Sequence, residues 1–271
     1  MKRVTLWAII GMMVLSLCAC GSGNTPEAEQ DEAPKEPLPA SELKKVFSDP
    51  ESYIGERVEL GGVVFTAPEY DENAVYFQMW SDPVNYDWNT VVGYPDPDLA
   101  LEEGQYVKVV GEIGDVFEGE NMWGVTITAP AINAESIEIS TYMDVVAPTI
   151  ATASASTPTI DQNGYSITVE KAELADTETR LYLSVSNNGS GNFNLYTFNM
   201  YLIQDGTQYE TTYNFEADYP EIQSDIRPGV TSEAIITFPT IQQGDFQVIM
   251  EGRSDNWQED FDEYVFNFSF E

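Results

Sequence analysis

Residues 75–80, Val-Tyr-Phe-Gln-Met-Trp, decide the fold class, because large apolar side chains recur at every second position along them. In a β-strand, successive side chains point to opposite faces of the sheet. The odd-numbered residues therefore predict a face buried in a core, and the even-numbered residues predict the opposite face. The same period of two runs through residues 56–64, 90–94 and 106–110. These stretches indicate β-strands, and together they favour an all-β protein.

A short helix precedes these strands. Residues 41–48 carry apolar side chains at helical spacing, with Ser41 as the expected N-cap, and Asp49-Pro50 ends the pattern. Further candidate strands lie at 123–128 and 137–139. Glycines punctuate the strands, as sharp bends and bulges require. This arrangement favours a small closed barrel over a sandwich.

Three motifs of this region carry a family resemblance. They are Tyr-Ile-Gly-x-Arg-Val-x-Leu-x-Gly at 53–62, Gly-Gln-Tyr-Val-Lys-Val-Val-Gly-Glu-Ile at 104–113 and Gly-Val-Thr-Ile-Thr-Ala-Pro-x-Ile at 124–132. The region resembles the OB-fold domains of bacterial surface lipoproteins. The resemblance implies an OB-fold barrel over residues 41–142, a class that often binds oligonucleotides or oligosaccharides on one face.

Alternation returns in the second half of the chain and predicts a second β-domain. Its clearest stretches are 165–169, 181–185, 234–238, 246–250 and 264–270. Asp205-Gly206 predicts a hairpin turn and Pro228-Gly229 a type II turn, since glycine adopts positive φ readily. About seven strands at this spacing are typical of a β-sandwich.

Two motifs of the second domain resemble a known family. Arg-Leu-Tyr-Leu-x-Val-x-Asn-Asn at 180–188 and Ile-Arg-Pro-Gly-Val-Thr-Ser-Glu-Ala-Ile-Ile-Thr-Phe-Pro at 226–239 are similar to DUF4352, a telokin-like, Ig-like domain of Gram-positive lipoproteins. The resemblance implies an Ig-like sandwich over residues 160–271 and no known activity. Residues 143–159, with an uncharged Ala, Ser, Thr and Pro-rich run, are a linker or in part a first strand.

The N-terminus has the pattern of an export signal. Lys2 and Arg3 precede an apolar run, and Leu-Cys-Ala-Cys at 17–20 resembles the bacterial lipobox. The resemblance implies removal of residues 1–19, acylation of Cys20 with fatty acids such as palmitate, and an extracytoplasmic, lipid-anchored protein. The alternatives are an ordinary signal peptide and an uncleaved membrane helix, although the run is short for a span. Residues 21–40 are expected to form a flexible acidic tether.

Composition excludes several function classes. The net charge is −35, which disfavours nucleic acid because binding it requires Lys and Arg. The chain has no histidine, so Ser-His-Asp triads, Cys-His pairs and histidine-ligated zinc are impossible. The two cysteines are Cys18 and Cys20, so the mature chain is expected to contain no disulfide.

Aromatic residues crowd one part of the predicted barrel. The candidates for ligand contact are Tyr76, Trp80, Tyr86, Trp88 and Trp123, with Tyr94 in the same stretch. Tyr76 and Trp80 share the face opposite the core, where flat rings can stack on sugars. The alternative is a second apolar face covered by the helix or by the other domain, which is the more frequent arrangement of aromatic residues.

Acidic residues cluster at 69–72, at 96–98 and at 255–263. Carboxylates close together in a loop are able to hold calcium. No stretch matches the EF-hand pattern, and charge runs are usually solvated. We therefore expect no cofactor, with calcium as the alternative. Pairs of carboxylates also allow glycoside hydrolysis, but so acidic a chain offers such pairs by chance.

These observations predict a protein that binds and does not catalyse. We expect a lipid-anchored cell-surface binding or accessory module that presents two β-domains to a glycan, a peptide or a protein outside the membrane. The alternatives are a structural or sensory docking component of a membrane-associated assembly and, third, a carboxylate-based hydrolase.

Overall fold

Six strands between residues 57 and 140 form the first sheet of this computed structural model, which describes residues 35–120, 124 and 126–270. Helix α1, Ala40–Ser48, and a 3₁₀ turn, Pro50–Tyr53, precede them. The strands are β1 Arg57–Val64, β2 Glu69–Tyr70, β3 Val75–Asp82, β4 Asp87–Tyr94, β5 Tyr106–Glu120 and β6 Thr126–Ser140. A short helix, α2 Tyr142–Val145, follows.

The first sheet closes into a barrel. Its strand order is β1-β5-β6-β4-β3-β2, and β1 also pairs with β3 through Val63 and Val64, so five strands form a ring. β4 and β6 run parallel, and the other pairs are antiparallel. The OB-fold expectation also involves a five-stranded barrel, and the assignment to that fold family stays a prediction.

A glycine permits this closure. A Cβ atom at Gly62 would lie 2.6 Å from the backbone carbonyl oxygen of Trp80, a distance that two such atoms do not tolerate. β1 and β3 therefore approach each other where the side chain is missing.

The barrel core confirms the alternation in residues 75–80. Val75, Phe77 and Met79 are buried, and the even-numbered residues of β3 are partly exposed. Helix α1 covers the core with Val46, which is buried. The expected N-cap is wrong: the helix begins at Ala40 after Pro39, whose φ of −65° and ψ of 148° suit an N-cap without a side-chain hydrogen bond.

Two long strands replace several short predicted ones. Residues 106–110 are only the start of β5, and residues 126–128 and 137–139 belong to the single strand β6. The pairing of β5 with β6 shifts register after Val110 and again after Ile113. Such bulges let a long strand bend, so one strand can serve two neighbours of a small barrel.

A second sheet contains nine strands. They are β7 Ala151–Ala155, β8 Thr159–Gln162, β9 Tyr165–Leu174, β10 Glu178–Asn187, β12 Tyr201–Gln204, β13 Thr207–Glu210, β14 Thr231–Pro239, β15 Phe246–Met250 and β17 Tyr264–Phe270. The order is β13-β12-β15-β17-β7-β9-β10-β14, with β8 on β9. β11, Phe193–Leu195, and β16, Gly252–Ser254, form a separate pair.

The strands expected to form two layers of a sandwich belong to one continuous sheet, in which β17 pairs with β7. A bridge between Thr212, just after β13, and Thr237 of β14 connects the two ends of this sheet. The second core fills the space enclosed, with Tyr165, Phe193 and Phe266 among its fully buried rings. The all-β prediction is confirmed.

The structure describes both predicted turns and part of the predicted linker. Asp205 and Gly206 both have positive φ and join β12 to β13, and Gly229 has a φ of 82°. Residues 151–155 pair with β9 and β17, so this part of the expected linker is a strand.

Residues 36–271 form one compact unit that contains both cores. The predicted signal, Cys20 and most of the tether lie outside the described residues. No helix within the described residues is long and apolar enough to cross a membrane.

Candidate functional site

The outer face of β3 carries the side chains of Tyr76, Gln78 and Trp80, all partly exposed. Trp80 stacks on Phe65, with ring centroids 3.9 Å apart and planes inclined by 12°. Phe65 follows β1 directly, and its backbone N–H donates to the carbonyl oxygen of Gln78 over 3.1 Å. The closure of the barrel therefore positions this aromatic pair.

Tyr76 lies over the neighbouring strand at Gly93. A Cβ atom at Gly93 would meet the Tyr76 ring at 3.2 Å, so the glycine leaves room for the ring to lie against the sheet. Burial and the nearby Asp71 carboxylate raise the pKa of Tyr76, which keeps its hydroxyl a donor. Tyr76 and Trp80 are four residues apart on one strand face, or about 13 Å, with Gln78 between them.

Two amides complete this face. Asn89 of β4 donates through Nδ2 to Oε1 of Gln78 over 3.2 Å. The Asn89 Oδ1 atom is buried and has no hydrogen-bond partner among the described residues. A buried acceptor without a donor is costly, because it has lost water and gained nothing. We call Phe65, Tyr76, Gln78, Trp80 and Asn89 the β3 face.

The remaining aromatic candidates lie elsewhere. Trp88 is on the side of β4 that carries Val92 and stacks on Phe47 of α1, with centroids 4.8 Å apart. Tyr86 lies at the tip of the β3–β4 hairpin and donates its hydroxyl to Glu216. Trp123 lies outside the described residues. Of the aromatic candidates that the structure describes, only Tyr76 and Trp80 come together on one open face.

Sequence reasoning missed a buried ionic cluster in the second sheet. Arg180 is fully buried, and its guanidinium donates to Glu178 over 3.2 Å and to Glu173 over 3.1 Å. It also donates to the Ala147 carbonyl oxygen over 2.6 Å and to the Thr149 hydroxyl over 2.9 Å. Arg180 faces Glu173 directly across the β9–β10 pair, and this cross-strand match of opposite charges was the available signal.

Hydrogen bonds keep Glu173 charged in this cluster. Burial alone raises the pKa of the Glu173 carboxyl, but hydrogen bonds from Lys171, Tyr182 and Thr149 outweigh it and lower the pKa. Burial and the hydrogen bond to Glu173 raise the pKa of Tyr182 to about 12. Both carboxylates are therefore buried and paired with Arg180, and they do not form a solvent-accessible acid and base for hydrolysis.

Tyrosines link the barrel to this cluster. The Tyr142 ring of α2 makes edge contacts with Tyr106 of β5 and with Tyr219, at centroid distances of 5.8 and 6.4 Å. The Tyr219 hydroxyl donates to Glu178. The hydroxyl of Tyr182 in β10, which donates to Glu173 over 2.8 Å, lies 3.4 Å from the sulfur of Met143. We call these contacts the tyrosine junction.

The acidic clusters hold turns together. Asp71 accepts from the backbone N–H groups of Asn73 and Ala74, and Asp96 accepts from that of Asp98. Within residues 35–120, 124 and 126–270, no group of three or more Asp, Glu, Cys or His side chains is placed to hold a metal ion.

No protein-family model, curated protein or solved structure matches this chain.

Proposed function

We propose that this protein is a lipid-anchored cell-surface binding module that holds an extracellular glycan on the β3 face. The observation that carries the proposal is the stacked pair of Phe65 and Trp80 on an open strand face that also presents the Gln78 amide. Aromatic rings bind the apolar faces of sugars, and amide groups bind their hydroxyls. The anchor rests on the resemblance of residues 17–20 to a lipobox.

Charge narrows the class of glycan. Residues 58–107, which include all of β3 and β4, contain no lysine or arginine. An acidic surface without cations repels anionic polymers. Neutral oligosaccharides are therefore the expected ligands, and nucleic acids and anionic wall polymers are not.

The test is a calorimetric titration of residues 35–271, which contain both cores, against a panel of neutral oligosaccharides. Trp80→Ala is expected to weaken binding by about 10-fold or more, because stacking on an aromatic ring contributes on the order of 1–2 kcal/mol. Asn89→Ala is a second variant, which keeps the aromatic rings and removes the amide that donates to Gln78.

Two tryptophan variants serve as controls. Trp257→Ala removes an exposed ring outside the barrel, and Trp88→Ala removes a ring that packs on α1. Neither change is expected to alter affinity. The proposal fails if no neutral glycan binds, or if Trp80→Ala binds as well as the unchanged protein. Capture of a protein partner together with no response to sugars would favour the docking alternative, and product release would favour the hydrolase.

A further inference from the structure

A cluster of exposed aromatic rings lies away from the β3 face. Tyr86, Tyr213 and Phe215 are 55%, 61% and 84% exposed. The Tyr213 and Phe215 ring centroids are 4.3 Å apart. Tyr86 joins them through Glu216, the next residue after Phe215, to which its hydroxyl donates over 2.9 Å. We call Tyr86, Tyr213 and Phe215 the aromatic patch. Exposed aromatic side chains that adjoin in this way mark interaction sites.

Carboxylates lie beside the two tyrosines of the aromatic patch. Glu216 accepts from Tyr86, and Glu221 accepts from Tyr213. Asp218 lies close enough to Tyr213 to contribute to raising the pKa of its hydroxyl, after the hydrogen bond to Glu221. Residues 181–226 contain no lysine or arginine, and neither does the hairpin that supplies Tyr86. Among the described residues, no ion pair includes any of these three carboxylates.

The loop that carries the aromatic patch is anchored to the protein interior. Asn214, which lies between Tyr213 and Phe215, donates through Nδ2 to Oε2 of buried Glu178 over 2.9 Å. Its Oδ1 accepts from the Glu216 N–H over 3.1 Å. Tyr219 donates to Glu178 from the other part of the loop. A ligand therefore has little loop motion to arrest when it binds, which lowers the entropy cost of association.

We propose that the aromatic patch docks a cationic polypeptide segment, a lysine- and arginine-containing stretch of a partner protein. Ammonium and guanidinium groups are attracted to the faces of Tyr and Phe rings, and here carboxylates lie beside each ring. Charge argues against a second copy of this chain, because a symmetric contact would oppose the same carboxylates. It argues equally against an anionic membrane.

The test measures fluorescence anisotropy of a labelled peptide in which Lys and Arg alternate with Gly and Ser, titrated with residues 35–271. Phe215→Ala and Tyr213→Ala leave the net charge unchanged, and their exposed positions make both variants compatible with folding. Each is expected to weaken binding by about 2- to 30-fold, the range that cation–π contacts span. A thermal melt of each variant checks that it is folded.

Trp257→Ala is the matched control, because Trp257 is 86% exposed and lies in the acidic loop 255–263. This variant is expected to bind the peptide unchanged. General attraction to a highly acidic protein, and not a docking site, is the explanation if Phe215→Ala and Tyr213→Ala stay within about twofold of the unchanged protein. A loss in Trp257→Ala equal to theirs also overturns the proposal.

Two further titrations separate this proposal from others. We expect no binding of an acidic peptide of the same length and no binding of zwitterionic lipid vesicles. If either one binds and Phe215→Ala abolishes that binding, the proposal is overturned. Trp80→Ala is expected to bind the cationic peptide normally. The proposals for the aromatic patch and for the β3 face are therefore tested by separate measurements.

Discussion

The buried charges of Arg180, Glu173 and Glu178 depend on one another for their stability. Each has left water, and each is compensated by the others and by neighbouring donors and acceptors. Removing one member of such a group leaves an uncompensated charge in the interior, which costs more than the pair itself contributes. The cluster is therefore a point at which one substitution has a large effect.

We predict that Arg180→Leu lowers the free energy of unfolding by about 3–5 kcal/mol, because it leaves two buried carboxylates without their cation. Urea denaturation followed by circular dichroism measures the change. Arg253→Leu makes the same replacement at an exposed position of β16 and is expected to cost less than about 0.5 kcal/mol. Equal losses in the two variants would contradict the prediction.

The burial of Arg180 could not be predicted from its own strand. The alternation of Leu181, Leu183 and Val185 places Arg180 on the face away from the core, where charged residues are normally solvated. In the structure, that face is covered near Arg180 by residues remote in sequence, which include Ala147 and Thr149. Only the tertiary contact shows that the guanidinium is buried.

At the scale of elements, the barrel depends on the pairing of β1 with β3. This contact is short, since it includes only Val63 and Val64 of β1. It nevertheless closes the ring and positions Phe65 beneath Trp80. A disturbance at Gly62 would therefore reach the β3 face.

Gly62→Ala is expected to destabilise the protein by about 1–3 kcal/mol, because the added methyl group would lie against the Trp80 carbonyl and force the strands apart. Chemical denaturation measures the loss. Gly244→Ala is the control, since a Cβ atom there would have its nearest contact at 3.5 Å. Stability equal to that of the control would show that β1 and β3 do not need this close approach.

Periodicity predicted the elements whose side chains alternate strongly in size. It identified β3, β9 and β10. It could also have placed Trp88, because Trp88 and buried Val92 are both even-numbered residues of β4 and share a face. It could not identify β7 with certainty. Residues 151–155 are Ala, Thr and Ser, so their pattern of burial leaves little trace in hydrophobicity.

At the scale of the whole molecule, the tyrosine junction joins two cores that each belong to a different sheet. Tyr142 contacts Tyr106 on the barrel side and Tyr219 on the other. Aromatic pairs of this kind contribute about 0.5–1.5 kcal/mol each beyond the area that they bury. We therefore expect the junction to couple the unfolding of the barrel to that of the second sheet.

Tyr142→Ala is expected to separate these two unfolding events, because it removes both edge contacts. Hydrogen exchange is the measurement, with amides of β1–β6 and β7–β17 followed separately. Amides of the barrel should lose about 1–3 kcal/mol of protection relative to those of the second sheet. Tyr213→Ala removes an exposed tyrosine and should change neither set. Unchanged barrel protection in Tyr142→Ala would mean that the junction does not couple the cores.

The contacts between the two sheets were the feature that the sequence predicted least well. The period of two indicated two β-regions. The junction, however, joins side chains from α2, β5 and the loop around Tyr219, which are separated by long stretches of chain. The aromatic patch likewise combines Tyr86 with residues more than a hundred positions later. Contacts between residues so far apart in the sequence leave no local sequence pattern.

The position of β17 has a consequence for biosynthesis. The strand consists of residues 264–270, yet it lies in the middle of its sheet, between β15 and β7. Chains emerge from the ribosome N-terminus first. All barrel strands have been synthesised once residue 140 is made. In contrast, β7 and β15 each keep one unpaired edge until β17, the strand that pairs with both, has been synthesised. Open edges are templates for aggregation, so we expect a chain that still lacks β17 to be more prone to aggregate than the complete one.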